Sequence, residues 1–555
     1  LIDEISYPLL SPSAVAQTHS LDFSLTHGVI MLSTLIWLPV VGALLTGLLP
    51  GSSAQALKRL ALLFSLILTG LGFLIAVQFD LGQSGLQFSE NIPWIAPLGL
   101  NYALGVDGLS LPLVLLNSLL TVIVIYGSPK EVSRPRLYYS LILLVNAGIT
   151  GAFVAQNLLL FFLFYEVELI PLYLLIAVWG GNRSNYAATK FLIYTAVSGI
   201  LILGGFLGLT WIGHAQSFDY EAVQAIAPSI PAAFQSLLLL ALILGFGIKT
   251  PLVPLHTWLP DAYVESSAPV SILLGGILAK LGTYGLFRFC IGLLPEAWAN
   301  AAPVLALWAA ITVIYGALAA IAQHDIKRMV AFSSIAHMGY VLLGGAALTE
   351  LSLVGAVSQM VAHGFILALL FYLVGIIEDK VGTRELSALN GLMSPVRGLP
   401  WISALLVLGG MASAGIPGFA GFIAEFMVFQ GSFEIYTWQT LLSVIGTGFT
   451  AVYFVILLNR TCFGRLDNAT AYYPKVLWSE RMPAIILAVV ILFLGVQPHW
   501  LVRWTEPTTK SLSAIASAYW QSPNLPQPPV IAQQGSVVMI SSQPEAIVVP
   551  TLTKS

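Results

Sequence analysis

Fourteen apolar runs of about 20 residues follow one another along this chain, and each has the length of a helix that crosses a bilayer. They fall near 30–49, 57–79, 108–127, 136–155, 157–178, 187–212, 233–262, 268–290, 302–322, 328–348, 352–377, 398–432, 437–459 and 482–504. Charged residues make up 8% of the chain, against roughly 25% in a soluble domain, so lipid must be the solvent. The expected fold class is therefore an all-α integral membrane protein of about 14 transmembrane helices. A net charge of −3 argues against a nucleic-acid surface. Two cysteines, Cys290 and Cys462, are too few for a protein-bound iron–sulfur cluster, and no zinc spacing occurs, so no metal site is expected.

The basic residues test the span count. If the chain alternates sides, sixteen of its 22 lysines and arginines fall in the loops after odd-numbered spans, from Lys58 and Arg59 to Lys475 and Arg481. The opposite loops carry acids instead: Glu90, Asp219, Glu221, Glu296, Glu350 and Glu434. The positive-inside rule then puts the basic loops on the cytoplasmic side and both termini on the lumenal side. The first residue is Leu1, and Met31 opens the first clean apolar segment, so residues 1–29 read as an extension preceding the true start. Residues 506–555, rich in Pro, Gln and Ser, read as a loose polar tail.

Two spans are too long and too broken to be regular. Residues 233–262 contain GIKTPLVPLHTWLP and residues 398–432 contain GGMASAGIPGFAGFIAEF. Pro251, Pro254 and Pro417 each remove a backbone donor and should interrupt these helices. Broken spans are tolerated where protein or water meets the freed backbone, and they point to transport sites. They are spans 7 and 12, five apart, so equivalent halves would be inverted. The expected organisation is spans 1–3 over 30–135, a first inverted five-helix repeat of spans 4–8 over 136–290, and a second of spans 9–13 over 291–460. A loop and span 14 follow over 461–505.

The few ionisable groups inside spans carry the functional argument. They are Glu166 and Glu168 in span 5, Lys249 in span 7, Lys280 and Arg288 in span 8, His337 and His363 in spans 10 and 11, and Glu425 in span 12. A lone charge at the bilayer centre costs about 2.5–3.5 kcal/mol on the insertion scale, so function is the default reading. Desolvation brings lysine and glutamate toward the pH where each can take and release a proton, and an opposing charge reverses this. Moving Glu166 against Lys249, beside the Pro251 break, would load and unload the lysine. His337 and His363 titrate near neutrality and suit a relay between Lys280 and Glu425.

Each residue also has a bland reading. Lys249 and Glu166 fit a static pair. Glu168, two residues from Glu166, points elsewhere on a helix and serves equally as a second acid site or a helix–helix hydrogen bond. Arg288 reads as a snorkelling residue near the end of span 8. His337 has serines behind it to bond. His256, beyond the break, divides evenly between structure and relay, and His324 reads as a solvated loop residue. Trp179 and Trp258 read as interface anchors.

At this point the motifs match a family. LLLFFLFYEVELIPLYLLIAVWGG, NYAATKFLIYTAVSG, GIKTPLVPLHTWLPDAYVESSAPVSILLGGILAKLGTYGLFRF and SSIAHMGYVLLG, with GVDGLSLPL at 105–113, resemble the antiporter-like subunits of respiratory complex I over about residues 30–505. Glu425 in span 12, where sister subunits carry lysine, and the lack of a long lateral helix after span 14 match the M-type, chain 4 member. The wording of spans 5–8 is most similar to the cyanobacterial and chloroplast NAD(P)H-quinone oxidoreductase complex. The resemblance implies proton transfer at Glu166, Lys249, Lys280, His337, His363 and Glu425. It implies no cofactor on this chain, with plastoquinone and NAD(P)H or ferredoxin used by the complex. It implies sister antiporter-like subunits and other membrane subunits as partners, besides lipid, in a thylakoid membrane. VESSAPVSILL departs from the family's commoner GEATAPVHMLL, which points to a variant complex devoted to carbon dioxide uptake. Two other readings stay open: a stand-alone cation/proton antiporter subunit, and a scaffold without transport.

Overall fold

The computed structural model describes residues 31–51, 53–464, 466 and 473–520. The expected extension over 1–29, and the tail beyond Trp520, lie outside the described residues. Among the described residues, twelve helices are long and apolar enough to cross a membrane, and three shorter apolar helices join them.

The chain begins with α1 (Met31–Leu48) and α2 (Ala54–Gln78). The link to the next span, read from sequence as a plain loop, is instead an antiparallel ribbon of β1 (Gln87–Ile95) and β2 (Leu100–Val106), with Ile92 opposite Tyr102. Glu90 of this ribbon is buried and accepts from the Leu32 and Ser33 amides at 2.9 and 3.1 Å, satisfying orphan donors at the start of α1. The contact that orders the ribbon is thus long-range, which is why local sequence does not announce it.

Then come α3 (Leu111–Gly127), α4 (Pro135–Val154), and a span split into α5 (Leu158–Val167) and α6 (Leu169–Trp179). Asn157 caps α5, its side chain accepting from the Leu159 and Leu160 amides. The split has a cause in Pro171, which offers no N–H to the carbonyl of Val167. Next follow α7 (Ser184–Gly213), the short α8 (Tyr220–Ile226), α9 (Ala232–Lys249) and α10 (Trp258–Glu265). As the prolines imply, α9 stops at Lys249, and residues 250–257 run as turns. The freed backbone is satisfied by protein: Trp258 Nε1 donates to the Ile248 carbonyl at 2.9 Å, and Trp308 Nε1 donates to that of Val253. Trp258 is therefore no interface anchor; it is fully buried and fills the break.

The second part holds α11 (Ala268–Ile291), α12 (Pro295–Ile321), α13 (Ile326–Ala347) and α14 (Glu350–Val381). Then come α15 (Pro400–Ser413), α16 (Ala420–Phe433), α17 (Thr437–Thr461) and α18 (Trp478–Val496). α15 and α16 together cover the expected twelfth span, parted by a turn in which Gly415 (φ 69°) and Gly418 (φ 99°) take left-handed backbone that side chains disfavour. The apolar windows of α11, α13 and α14 are entirely buried, so these three helices form the centre of the bundle. The loose tail expected from 506 is a correction: α19 (His499–Trp520) continues as helix and packs on α14, α12 and α3. Its polar residues cannot span lipid, but they bond to the bundle, as where Ser513 donates to the Leu348 carbonyl at 2.8 Å.

Candidate functional site

Lys249 is the last helical residue of α9 and is 1% exposed. Its ammonium makes a hydrogen-bonded ion pair with Glu168, itself fully buried, and lies 4.4 Å from the centre of the Tyr165 ring. Tyr165 bonds Ser198, 2.7 Å between their oxygens, and Ser198 donates to the Gly245 carbonyl. The sequence expectation that Glu166 would be the partner is corrected here. Glu166 is half-buried on the outer side of α5, and its carboxylate lies against α7 at Gly199, where a Cβ would come within 2.1 Å of Oε1. Glu168 does point elsewhere from Glu166, and elsewhere is Lys249.

Lys280 lies at the centre of α11 and is fully buried. It donates to the Gly275 carbonyl at 2.6 Å, and its Nζ is 2.8 Å from His363 Nδ1. An ammonium has no acceptor, so the protonated lysine donates to Nδ1 and leaves the His363 proton on Nε2. That Nε2 is buried with no bonding partner among the described residues. The His363 and His337 rings are 5.2 Å apart. His337 Nδ1 faces the Ser333 carbonyl at 2.7 Å, and its Nε2 faces the Ser413 carbonyl at 3.1 Å and Glu425 Oε1 at 3.5 Å. The two carbonyls are acceptors, and the Glu425 carboxyl accepts when ionised and can donate when protonated. Glu425 is 3% exposed and is pressed into the α15–α16 turn beside Gly415; its Oε2 lies 3.5 Å from Thr447 Oγ1.

Four of the six groups singled out from sequence thus touch in series: Lys280, His363, His337 and Glu425. Among the described residues no hydrogen bond or ion pair joins Lys249 or Glu168 to Lys280. His256 stands apart, packed edge-on against Tyr315 at 5.0 Å. Arg288 does not snorkel: it is buried, and its Nη2 pairs with Asp107 Oδ2 at 2.5 Å. Asp107 was missed, although it stands in GVDGLSLPL; its Oδ1 also accepts from the Leu109 and Ser110 amides at 3.1 Å each. An aspartate just ahead of an apolar run is a capping signal, but its reach to Arg288 spans 181 positions.

Residues 155–450 match the family described as NADH:quinone oxidoreductase/Mrp antiporter, TM. NAD(P)H-quinone oxidoreductase chain 4 1 of a Synechococcus species is 40% identical over 90% of this chain and 97% of its own length. The chain 4 protein of Acaryochloris marina is 37% identical over 92% and 97%. A chain of respiratory complex I from Thermus thermophilus superposes with a TM-score of 0.79 at 27% identity, covering 87% of this chain and 99% of that one. A chain of the Mrp complex from Dietzia sp. shares the fold, with a TM-score of 0.76 at 22% identity, over 88% and 99%. The chain therefore belongs to the NADH:quinone oxidoreductase/Mrp antiporter transmembrane family.

Proposed function

We propose that this chain is the proton-translocating, chain 4-type membrane subunit of an NAD(P)H-quinone oxidoreductase. The observation that carries the reading is the contact series Lys280–His363–His337–Glu425, four titratable side chains on α11, α14, α13 and α16 in the buried centre of the bundle. A scaffold needs no such row, since apolar residues of similar volume hold helices together at least as well as buried charges. Quinone reduction elsewhere in the complex displaces the α9 end, opens the Lys249–Glu168 pair and releases the lysine's proton. The proton moves by water to Lys280, through the two histidines to Glu425, and out. Glu166 faces outward from the same region and suits a sister subunit supplying a hydrogen-bond donor.

The finer reading has the two broken spans in corresponding places of inverted repeats, spans 4–8 and 9–13 among fourteen, with Lys249 and Glu425 as counterparts. It places the complex in a cyanobacterial thylakoid membrane, basic loops toward the cytoplasm, with plastoquinone as acceptor and NAD(P)H or ferredoxin as donor. VESSAPVSILL after the first break favours a carbon-dioxide-uptake form. Lys249→Ala in the assembled complex should abolish this chain's share of pumping while quinone reduction continues. A normal proton-to-electron ratio in that variant would sink the proposal, and sodium-dependent transport by the purified chain alone would favour the antiporter reading.

A further inference from the structure

A cavity of about 190 Å³ opens on the side opposite the basic loops. Its wall is assembled from connections after α2, α7 and α11, together with α19. On its lining lie the Arg288–Asp107 pair and Gln156, whose Oε1 is buried without a partner among the described residues. Water can therefore reach Arg288 from that side. Beyond Arg288 the polar contacts narrow to one hydroxyl. Its Nε donates to the Tyr284 hydroxyl at 3.2 Å, and that hydroxyl donates to the Phe153 carbonyl at 3.0 Å. From there to the Tyr165 ring under Lys249 aromatic rings lie in contact one after another. Phe289 stacks on Phe246 at 5.9 Å and 10° and meets Phe206 at 4.9 Å; Phe161 lies 4.6 Å from Phe289 and 5.6 Å from Tyr165. Gly285 leaves the slot for Phe246, since a Cβ there would come within 2.2 Å of that ring.

We infer that this aromatic plug is the leak barrier of the first half of the chain, holding the Lys249–Glu168 pair dry against the cavity at Arg288–Asp107. The inference rests on the proton-translocating reading above. A path packed with rings excludes the water that would carry protons, as hydrophobic constrictions do in channels. It lets the Lys249 proton leave only along the row toward Glu425, whereas an open cavity would short-circuit it.

The test uses the assembled complex in sealed vesicles, with an imposed pH difference, no turnover, and a pH-sensitive dye. Phe289→Ala should speed the decay of the pH difference several-fold, and Phe289→Leu, which keeps apolar bulk, should restore the slow decay. Unchanged decay in assembled Phe289→Ala, with Lys249→Ala still losing its pumping share, overturns the plug alone; normal pumping by Lys249→Ala overturns the function beneath it. If Phe289→Ala fails to assemble, thiol labelling decides. The native Cys290 and Cys462 are buried, so background is low. A membrane-impermeant thiosulfonate added on the cavity side should label Ser511→Cys, on the cavity wall, and not Ser198→Cys, beyond the rings. Equal labelling of the two positions overturns the inference.

Discussion

Glu166 and Glu168 are two positions apart and face different neighbours, and the difference is decisive for how each should respond to neutralisation. Glu168→Gln strips a buried lysine of its only ion-pair partner among the described residues, a loss of about 3–5 kcal/mol when one member of a buried pair is removed. It should lower both the thermal midpoint of the complex and its proton-to-electron ratio. Glu166→Gln should leave the midpoint nearly unchanged; a larger loss for Glu166→Gln would refute the pairing. Glu90, outside the spans, offers a pH prediction. Burial holds its carboxyl above the ordinary value of 4.5, partly offset by the Ser33 and Leu32 hydrogen bonds. The folded form then binds more protons than the unfolded one, so the ribbon's docking is strongest below pH 4.5 and weakens as pH rises through the shifted value. Amide exchange of β1 and β2 should quicken along that rise, and Glu90→Gln should flatten the trend. All six proton-transfer candidates were legible as residues, because an ionisable group inside an apolar run stands out by composition alone. Their pairing was not, because the turn after Val167 sets the direction of Glu168 and only the neighbouring α9 supplies its partner.

At the scale of elements, the docking of α19 is the feature most exposed to a single change. The Gly108 amide donates to Thr508 Oγ1 at 3.0 Å, and a Cβ on Gly108 would come within 2.1 Å of the Trp504 carbonyl oxygen. Backbone cannot yield as a side-chain tip can, so Gly108→Ala should push α19 away at a cost of about 1–3 kcal/mol. Limited proteolysis should then cut within 499–520 faster than in the parent; unchanged resistance would show that α19 docks by other contacts. The broken helices of spans 7 and 12 were readable from Pro251, Pro254 and Pro417, since those residues act on their own backbone. The ribbon and α19 were not, since both owe their form to distant contacts, at Glu90 with α1 and at Thr508 with Gly108.

Across the whole molecule, the Arg288–Asp107 pair ties the connection before α3 to the end of α11. Asp107→Asn or Arg288→Gln alone should each destabilise the assembled complex by about 3–5 kcal/mol, since each leaves a buried charge unmatched. The double variant should recover a large part of that loss, because no unpaired charge remains. Thermal unfolding of the three variants measures the coupling, and strictly additive losses would show that the pair is not energetically joined. Sequence by itself determined the solvent, the helical class, the sites of the breaks and the ionisable groups inside the apolar runs. Each follows from local facts: apolar run length, proline's missing donor, and the cost of charge in lipid. Tertiary structure alone decided that Lys249 meets Glu168, that Arg288 meets Asp107, and that Lys280, His363, His337 and Glu425 stand in one row. Those contacts join residues from 81 to 181 positions apart, or stand on helices whose relative rotation is set by packing across the whole bundle.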